Sequence, residues 1–145
     1  KRQDILENQA KIVFLGIGSN LGLRKTNIEK AKFLLAEYNL DFLSVSSYYE
    51  TPSWPDPKKP KFLNIILKLR CYYNPQKLLK ICKSIETQLG RKKAKKNAPR
   101  ICDLDIIDFN KLVSRKKAKI NLPHKMMHKR NFVLFPLFEI QYLIV

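Results

Sequence analysis

The chain has 145 residues, with 29 Lys and Arg against 12 Asp and Glu, a formal charge of +17 with both His neutral. That length fits one domain able to bury about 70% of its unfolded surface. With 45% apolar residues, eight Phe and six Tyr it has material for a core, so a disordered chain is excluded, and four glycines exclude a collagen-like or Gly-rich repeat.

Residues 1–10 are polar and read as an extension or linker ahead of a domain over 11–145. Ile12-Val13-Phe14-Leu15-Gly16-Ile17 is a β-branched, apolar run that predicts a strand, closed by a turn at Gly18-Ser19-Asn20. Asn20 could also cap the next helix. From Leu23 to Tyr38, the positions Ile28, Ala31, Leu34, Leu35 and Tyr38 recur at helical spacing. Phe42 to Tyr49 reads as a strand with Leu43, Val45 and Ser47 on one side. Pro52, Pro55, Pro57 and Pro60 then define a stiff loop that cannot serve as a ladder strand.

Phe62 to Tyr72 predicts a long strand. Asn74-Pro75 pairs a cap with proline at the first helical position, so a helix runs from there to Gly90, burying Leu78, Cys82, Ile85 and Leu89. Residues 91–100 form a basic loop. Ile101 to Phe109 is a short strand, a turn falls at Asn110, and Lys111-Leu112-Val113 could form another. A last helix is expected from Met126 or His128, with Pro136 bending or ending it. The order β-α-β-β-α-β predicts an α+β ferredoxin-like sandwich, an antiparallel sheet with helices packed on it.

Cys71, Cys82 and Cys102 are odd in number and widely spaced, which favours buried thiols over a disulfide framework. No signal peptide and no apolar run near 18 residues are present, so a soluble protein of a reducing compartment, the cytoplasm, is expected. A chain that opens on Lys1 rather than Met and stops at Leu143-Ile144-Val145 could be trimmed, proteolysed or a piece of a longer protein, and its carboxy terminus could be truncated.

The chemistry concentrates late in the chain. Residues 91–130 hold 14 basic and 3 acidic groups, a field that draws polyanions: nucleic acid, an anionic membrane face or a multiply phosphorylated small molecule. A Lys-rich solvated surface accounts for the total charge equally well, but less well for its local concentration. Inside that segment stands Asp103-Leu104-Asp105. Alternation along a strand puts both carboxylates on one face, with Leu104 and Ile106 on the other. Paired carboxylates repel unless cations lie beside them, and Mg²⁺ completed by substrate phosphates answers that need. An exposed edge with two solvated Asp is the plainer alternative. Arg91, Lys92, Lys93, Lys95, Lys96 and Arg100 precede the pair and leave positive charge over for an anion. Metal-assisted phosphoryl chemistry and nucleic-acid binding are therefore the two leading classes on charge alone.

Several motifs are absent. There is no P-loop and no HExxH, and Gly16-Ile17-Gly18 lacks the third glycine of a dinucleotide fingerprint, where Leu21 stands, so its ordinary reading is a tight turn. His124 and His128 stand four apart, a spacing more often structural than metal-binding. Trp54, Phe62, Asn64 and Phe132 suggest a slot for a flat heterocycle, with core packing the competing use of the two Phe.

Blocks of the chain carry a family resemblance: Phe14-Leu15-Gly16-Ile17-Gly18-Ser19-Asn20-Leu21, Tyr49-Glu50-Thr51-Pro52, Phe62-Leu63-Asn64 and Pro99-Arg100-Ile101-Cys102-Asp103-Leu104-Asp105-Ile106. Leu122-Pro123-His124 and Arg130 to Leu137 continue it. Together they resemble the 6-hydroxymethyl-7,8-dihydropterin pyrophosphokinases of folate biosynthesis, over roughly residues 11–140. The resemblance implies a ferredoxin-like enzyme that moves pyrophosphate from ATP to the pterin hydroxymethyl group and releases AMP. It implies two Mg²⁺ ions on Asp103 and Asp105, and an ATP site of Lys83, Glu86, Arg91, Arg100, Ile106, Lys119, His124 and Arg130. Arg91, Arg100, Asp103 and Asp105 would be catalytic, and Thr51, Ser53, Trp54, Phe62, Asn64 and Phe132 would hold the pterin. ATP and the pterin are the implied partners of a monomer, with no nucleic acid or membrane, and residues 1–10 could join another folate-pathway domain. The chain departs from the pattern at Asn97 and Ala98, where Trp and Gly are common, at Lys125 after the Pro-His pair, and in its short carboxy-terminal segment.

Overall fold

The computed structural model describes residues 9–53, 55–90 and 99–110. Strand β1 (Lys11–Ser19) leads to helix α1 (Arg24–Ala36), then β2 (Asp41–Val45), β3 (Tyr49–Thr51), β4 (Phe62–Cys71), helix α2 (Pro75–Gln88) and β5 (Asp103–Phe109). The five-stranded sheet runs β2-β4-β1-β5, with β3 also on β4, and every pairing is antiparallel. This is the α+β ferredoxin-like order read from the sequence. The strand read over 111–113, the last helix, and the residues Trp54, Arg91, Asn97, Ala98, Lys119, His124, Lys125, Arg130 and Phe132 lie outside the described residues.

Period-2 alternation sorts each strand into two faces. On β1, Val13, Leu15 and Ile17 stand opposite Leu69, Leu67 and Ile65 of β4, and opposite Phe109, Ile106 and Leu104 of β5. These side chains form one buried cluster with Ile28, Ala31 and Leu35 of α1 and Leu78, Ile81, Cys82 and Ile85 of α2. Both helices therefore cover the same face of the sheet. Asn74 Oδ1 accepts from the Lys77 N–H at 2.8 Å and Pro75 occupies the first turn, the start expected of α2. Gly90, at φ +96°, follows the end of that helix. Cys71, Cys82 and Cys102 are all buried free thiols.

Three local expectations fail. First, no turn falls at Gly18: β1 continues through Ser19, and the positive-φ glycines are Gly22 and Gly90. Second, Asn20 caps nothing, because its side chain is engaged elsewhere; α1 starts after Leu23 without a side-chain cap. Third, the strand read over 42–49 splits into β2 and β3, and Ser44 and Ser46 are the buried positions while Val45 is exposed. A register shift between Phe42 and Ser44 turns the alternation over. Ser46 then holds Ile66 from both sides, its N–H donating to the Ile66 carbonyl at 2.9 Å and its Oγ accepting from the Ile66 N–H at 2.8 Å. A side chain replaces the backbone ladder there.

Candidate active site

The sheet face away from the helices is where the polar residues gather. Along β1 that face reads Phe14, Gly16 and Gly18. Opposite Gly18 lie Asn64 on β4 and Asp103 on β5; opposite Gly16 lie Ile66 and Asp105. Asp103 and Asp105 thus share a face, as alternation requires, with Leu104 and Ile106 buried on the helical side. On the other flank, Thr51 pairs with Phe62 and Tyr49 with Asn64. Asn64 Nδ2 donates to Thr51 Oγ1 at 3.0 Å and to the Tyr49 carbonyl at 3.3 Å, so its carboxamide is held in one orientation. Gly18 makes the floor between the Asn64 carboxamide and Asp103, and Gly16 lies further along, between Ile66 and Asp105. A Cβ on Gly18 would come within 2.7 Å of Asn64 Oδ1 and 3.4 Å of Phe62 Cδ1. Only glycine lets Asn64 lean over the strand in this way.

Arg100 meets Asp103. Its Nη1 lies 3.1 and 3.2 Å from the two oxygens of Asp103, and the pair is only partly exposed. A guanidinium carries five N–H donors, so pairing through Nη1 is compatible with gripping a phosphate. Asn20 fixes the backbone of Arg100. Its Oδ1 accepts from the Arg100 N–H at 2.7 Å, and its own N–H donates to the Arg100 carbonyl at 3.1 Å. Ser53 is reached from the same residue, Asn20 Nδ2 donating to Ser53 Oγ and to the Pro60 carbonyl, each at 3.2 Å. Further support comes from Arg24, whose Nη2 lies 2.8 Å from Glu50 Oε2 and whose Nη1 donates to the Lys61 carbonyl at 3.0 Å. That guanidinium, by hydrogen bond and charge, holds the Glu50 carboxyl below its usual range.

Lys83 and Glu86 of α2 lie beneath β5. Glu86 is only 2% exposed. Its Oε2 accepts from the Leu104 N–H at 2.8 Å, and Lys83 Nζ lies 3.3 Å from its Oε1. The residue therefore braces the strand from beneath, between the two acids. Ile106, two residues on from Leu104, shares its face and has its side chain in the core. Burial first, then the nearby Glu86 and Asp105 carboxylates, push the Cys82 thiol up to about 12, so it is no nucleophile. A groove of about 600 Å³ beside Phe33, Leu34 and Leu89 lies on α1, among the helices rather than on the acid-bearing face.

Sequence reasoning missed Asn20 as a hub and Gly18 as a floor. Both sit in the block Gly16-Ile17-Gly18-Ser19-Asn20, which on spacing alone reads as a turn. Among the described residues, no three His, Cys, Asp or Glu side chains converge on one point. An ion at Asp103 and Asp105 must then draw its other ligands from water and substrate oxygens or from residues beyond those described, and hard carboxylate oxygens suit Mg²⁺.

Fold and site together define a ferredoxin-like α+β protein whose sheet presents acids and a fixed carboxamide on the side away from its helices. The 7,8-dihydro-6-hydroxymethylpterin-pyrophosphokinase family matches residues 14–142. The chain is 39% identical over 129 residues to the 2-amino-4-hydroxy-6-hydroxymethyldihydropteridine pyrophosphokinase of Aquifex aeolicus (strain VF5), covering 89% of this chain and 79% of the relative. It is 36% identical over 130 residues to the protein of the same name from Bacillus subtilis (strain 168), covering 89% and 77%. The Folic acid synthesis protein FOL1 of Dictyostelium discoideum is 37% identical over 129 residues, 89% of this chain and 19% of that protein. The chain belongs to the 7,8-dihydro-6-hydroxymethylpterin-pyrophosphokinase family.

Proposed function

We propose that the protein transfers the pyrophosphoryl group of ATP to the hydroxymethyl oxygen of 6-hydroxymethyl-7,8-dihydropterin, releasing AMP, as a step of folate biosynthesis. The observation that carries this reading is the placement of Asp103 across Gly18 from Asn64, with Asp105 two residues on across Gly16 and on the same face of the sheet. One flank suits a flat heterocycle, with the Asn64 carboxamide reading its edge and Phe62 stacking on it. The other suits a metal-bound triphosphate.

The pterin hydroxyl oxygen attacks the β-phosphorus. A new P–O bond forms there, the bond from that phosphorus to the oxygen of AMP breaks, and AMP leaves with the electron pair while the hydroxyl proton passes to solvent. Asp103 and Asp105 would hold Mg²⁺, two ions in this reading, which when bound would offset phosphate charge and orient the leaving group. Arg100 places positive charge where the transferred group develops negative charge, and Arg91 is assigned the same task. Lys83, Glu86, Ile106, Lys119, His124 and Arg130 are assigned to the nucleotide, and Thr51, Ser53, Trp54 and Phe132 to the pterin. Among the described residues no helix is long and apolar enough to cross a membrane, and three buried free thiols fit a reducing cytoplasm. A monomer suffices, because the acid pair and the carboxamide come from one sheet.

The test is to incubate the protein with ATP, Mg²⁺ and the hydroxymethyl pterin, and to separate nucleotides by chromatography. AMP should appear one for one with pyrophosphorylated pterin, and neither should form without the pterin. ADP as the nucleotide product, or AMP released at the same rate without pterin, would overturn the reading.

A further inference from the structure

We infer that Asn20 is a positioning residue that holds the pterin-side loop and the Arg100–Asp103 pair in mutual register; this rests on the proposed pyrophosphoryl transfer. Asn20 is 3% exposed and stands at the end of β1. Its carboxamide is committed on every side. Both amide donations go to the Pro-rich loop, to Ser53 Oγ and the Pro60 carbonyl at 3.2 Å each. Ser53 Oγ closes the triangle by donating to the same Pro60 carbonyl. The two ends of that loop are thereby pinned at one point, Ser53 two residues after Thr51 and Pro60 two before Phe62. Prolines between them carry the constraint, because each fixes its own φ.

The third arm reaches across the site. Asn20 Oδ1 takes the Arg100 N–H at 2.7 Å, and Arg100 in turn holds both oxygens of Asp103 at 3.1 and 3.2 Å. One buried side chain thus links segments 33, 40 and 80 residues distant in sequence. Aspartate has the same shape but keeps only the acceptor. It would still receive the Arg100 N–H, yet it would turn an oxygen toward the Pro60 carbonyl, where both groups accept and neither donates. Asn20→Asp therefore breaks the bond to Pro60 and keeps the Arg100 arm, while the Ser53 hydroxyl can hold the new carboxylate only by giving up its own bond to the Pro60 carbonyl, so the triangle that pins the loop is lost.

Misalignment of reacting groups by about 1 Å costs roughly a hundredfold in rate, without requiring weaker binding of either reactant. The expected result for Asn20→Asp is a tenfold to hundredfold fall in kcat for AMP release at saturating substrates. The Kd of the pterin alone, by fluorescence, and of a non-hydrolysable Mg-ATP analogue alone, by calorimetry, should each stay within about threefold of the parent. A lesion of stability alone would lower the thermal midpoint but leave kcat intact in the folded fraction. A folded Asn20→Asp protein with kcat within twofold of the parent, or one whose loss lies wholly in KM, overturns the inference. Should that variant not fold, Ser53→Ala removes only one of the two loop partners and should lower kcat at least threefold; an unchanged kcat there overturns it equally. A parent protein that releases no AMP would instead sink the functional reading, and the inference with it.

Discussion

Gly18→Ala tests the floor of the site most directly. The backbone tolerates alanine, since Gly18 lies within β1 and is not among the positive-φ residues. What the methyl meets is the Asn64 carboxamide, 2.7 Å from the new Cβ, with Phe62 Cδ1 at 3.4 Å. Ordinary contact needs about 0.7 Å more than the 2.7 Å available, so Asn64 Oδ1 must move by that much. Its Nδ2 bonds to Thr51 Oγ1 and the Tyr49 carbonyl, at 3.0 and 3.3 Å, then stretch beyond useful length. The carboxamide then leaves the orientation in which it would read the pterin edge, and restoring that orientation on binding, at about 1–2 kcal/mol, weakens pterin binding roughly five- to thirtyfold. Mg-ATP affinity should hold, because the methyl's nearest neighbours are Asn64 and Phe62. Gly16→Ala is the control: its Cβ would lie 3.4 Å from the flexible ends of Ile66 and Ile107, and pterin affinity should stay within about twofold. Fluorescence titration with the pterin and calorimetry with the nucleotide analogue read both quantities. Pterin affinity unchanged in Gly18→Ala, or lost equally in both variants, would refute the argument.

Asp103→Asn and Asp105→Asn should each lower AMP release by about two orders of magnitude at saturating Mg²⁺ while pterin affinity survives; parental turnover in either would reject a metal role. Glu86→Ala leaves the buried Leu104 N–H without its acceptor and should lower the thermal midpoint by about 3–10 °C, whereas Glu86→Gln keeps an acceptor and costs less. A scanning-calorimetry trace for Glu86→Ala that overlays the parent would remove the brace assigned to it. Cys71, Cys82 and Cys102 should all resist a disulfide reagent at pH 8 in the folded protein and all react in guanidinium, because burial raises the Cys71 and Cys82 thiols, the latter up to about 12. Rapid modification of any one in the native state would contradict the packing of the sheet on its helices.

The local patterns were legible from the chain alone. Apolar spacing marked both helices, Asn74-Pro75 marked where the second begins, and alternation put Asp103 and Asp105 on one side of a strand, because each of these depends on residues a few positions apart. Register was not legible. Nothing near Gly18 in sequence says that Asn64 will lie on one side of it and Asp103 on the other, since cross-strand pairing is settled by the whole sheet closing over one core. The same cause hid Asn20, which looks like a cap for the helix beside it yet spends its carboxamide on segments up to 80 residues away. It also hid Ser44 and Ser46, whose burial comes from a register shift invisible to alternation. Sequence alone determined which groups this protein has for its chemistry and which elements carry them. Only the tertiary structure decided which of those groups face one another, because hydrogen bonds between distant segments require the shared core to hold those segments at bonding distance.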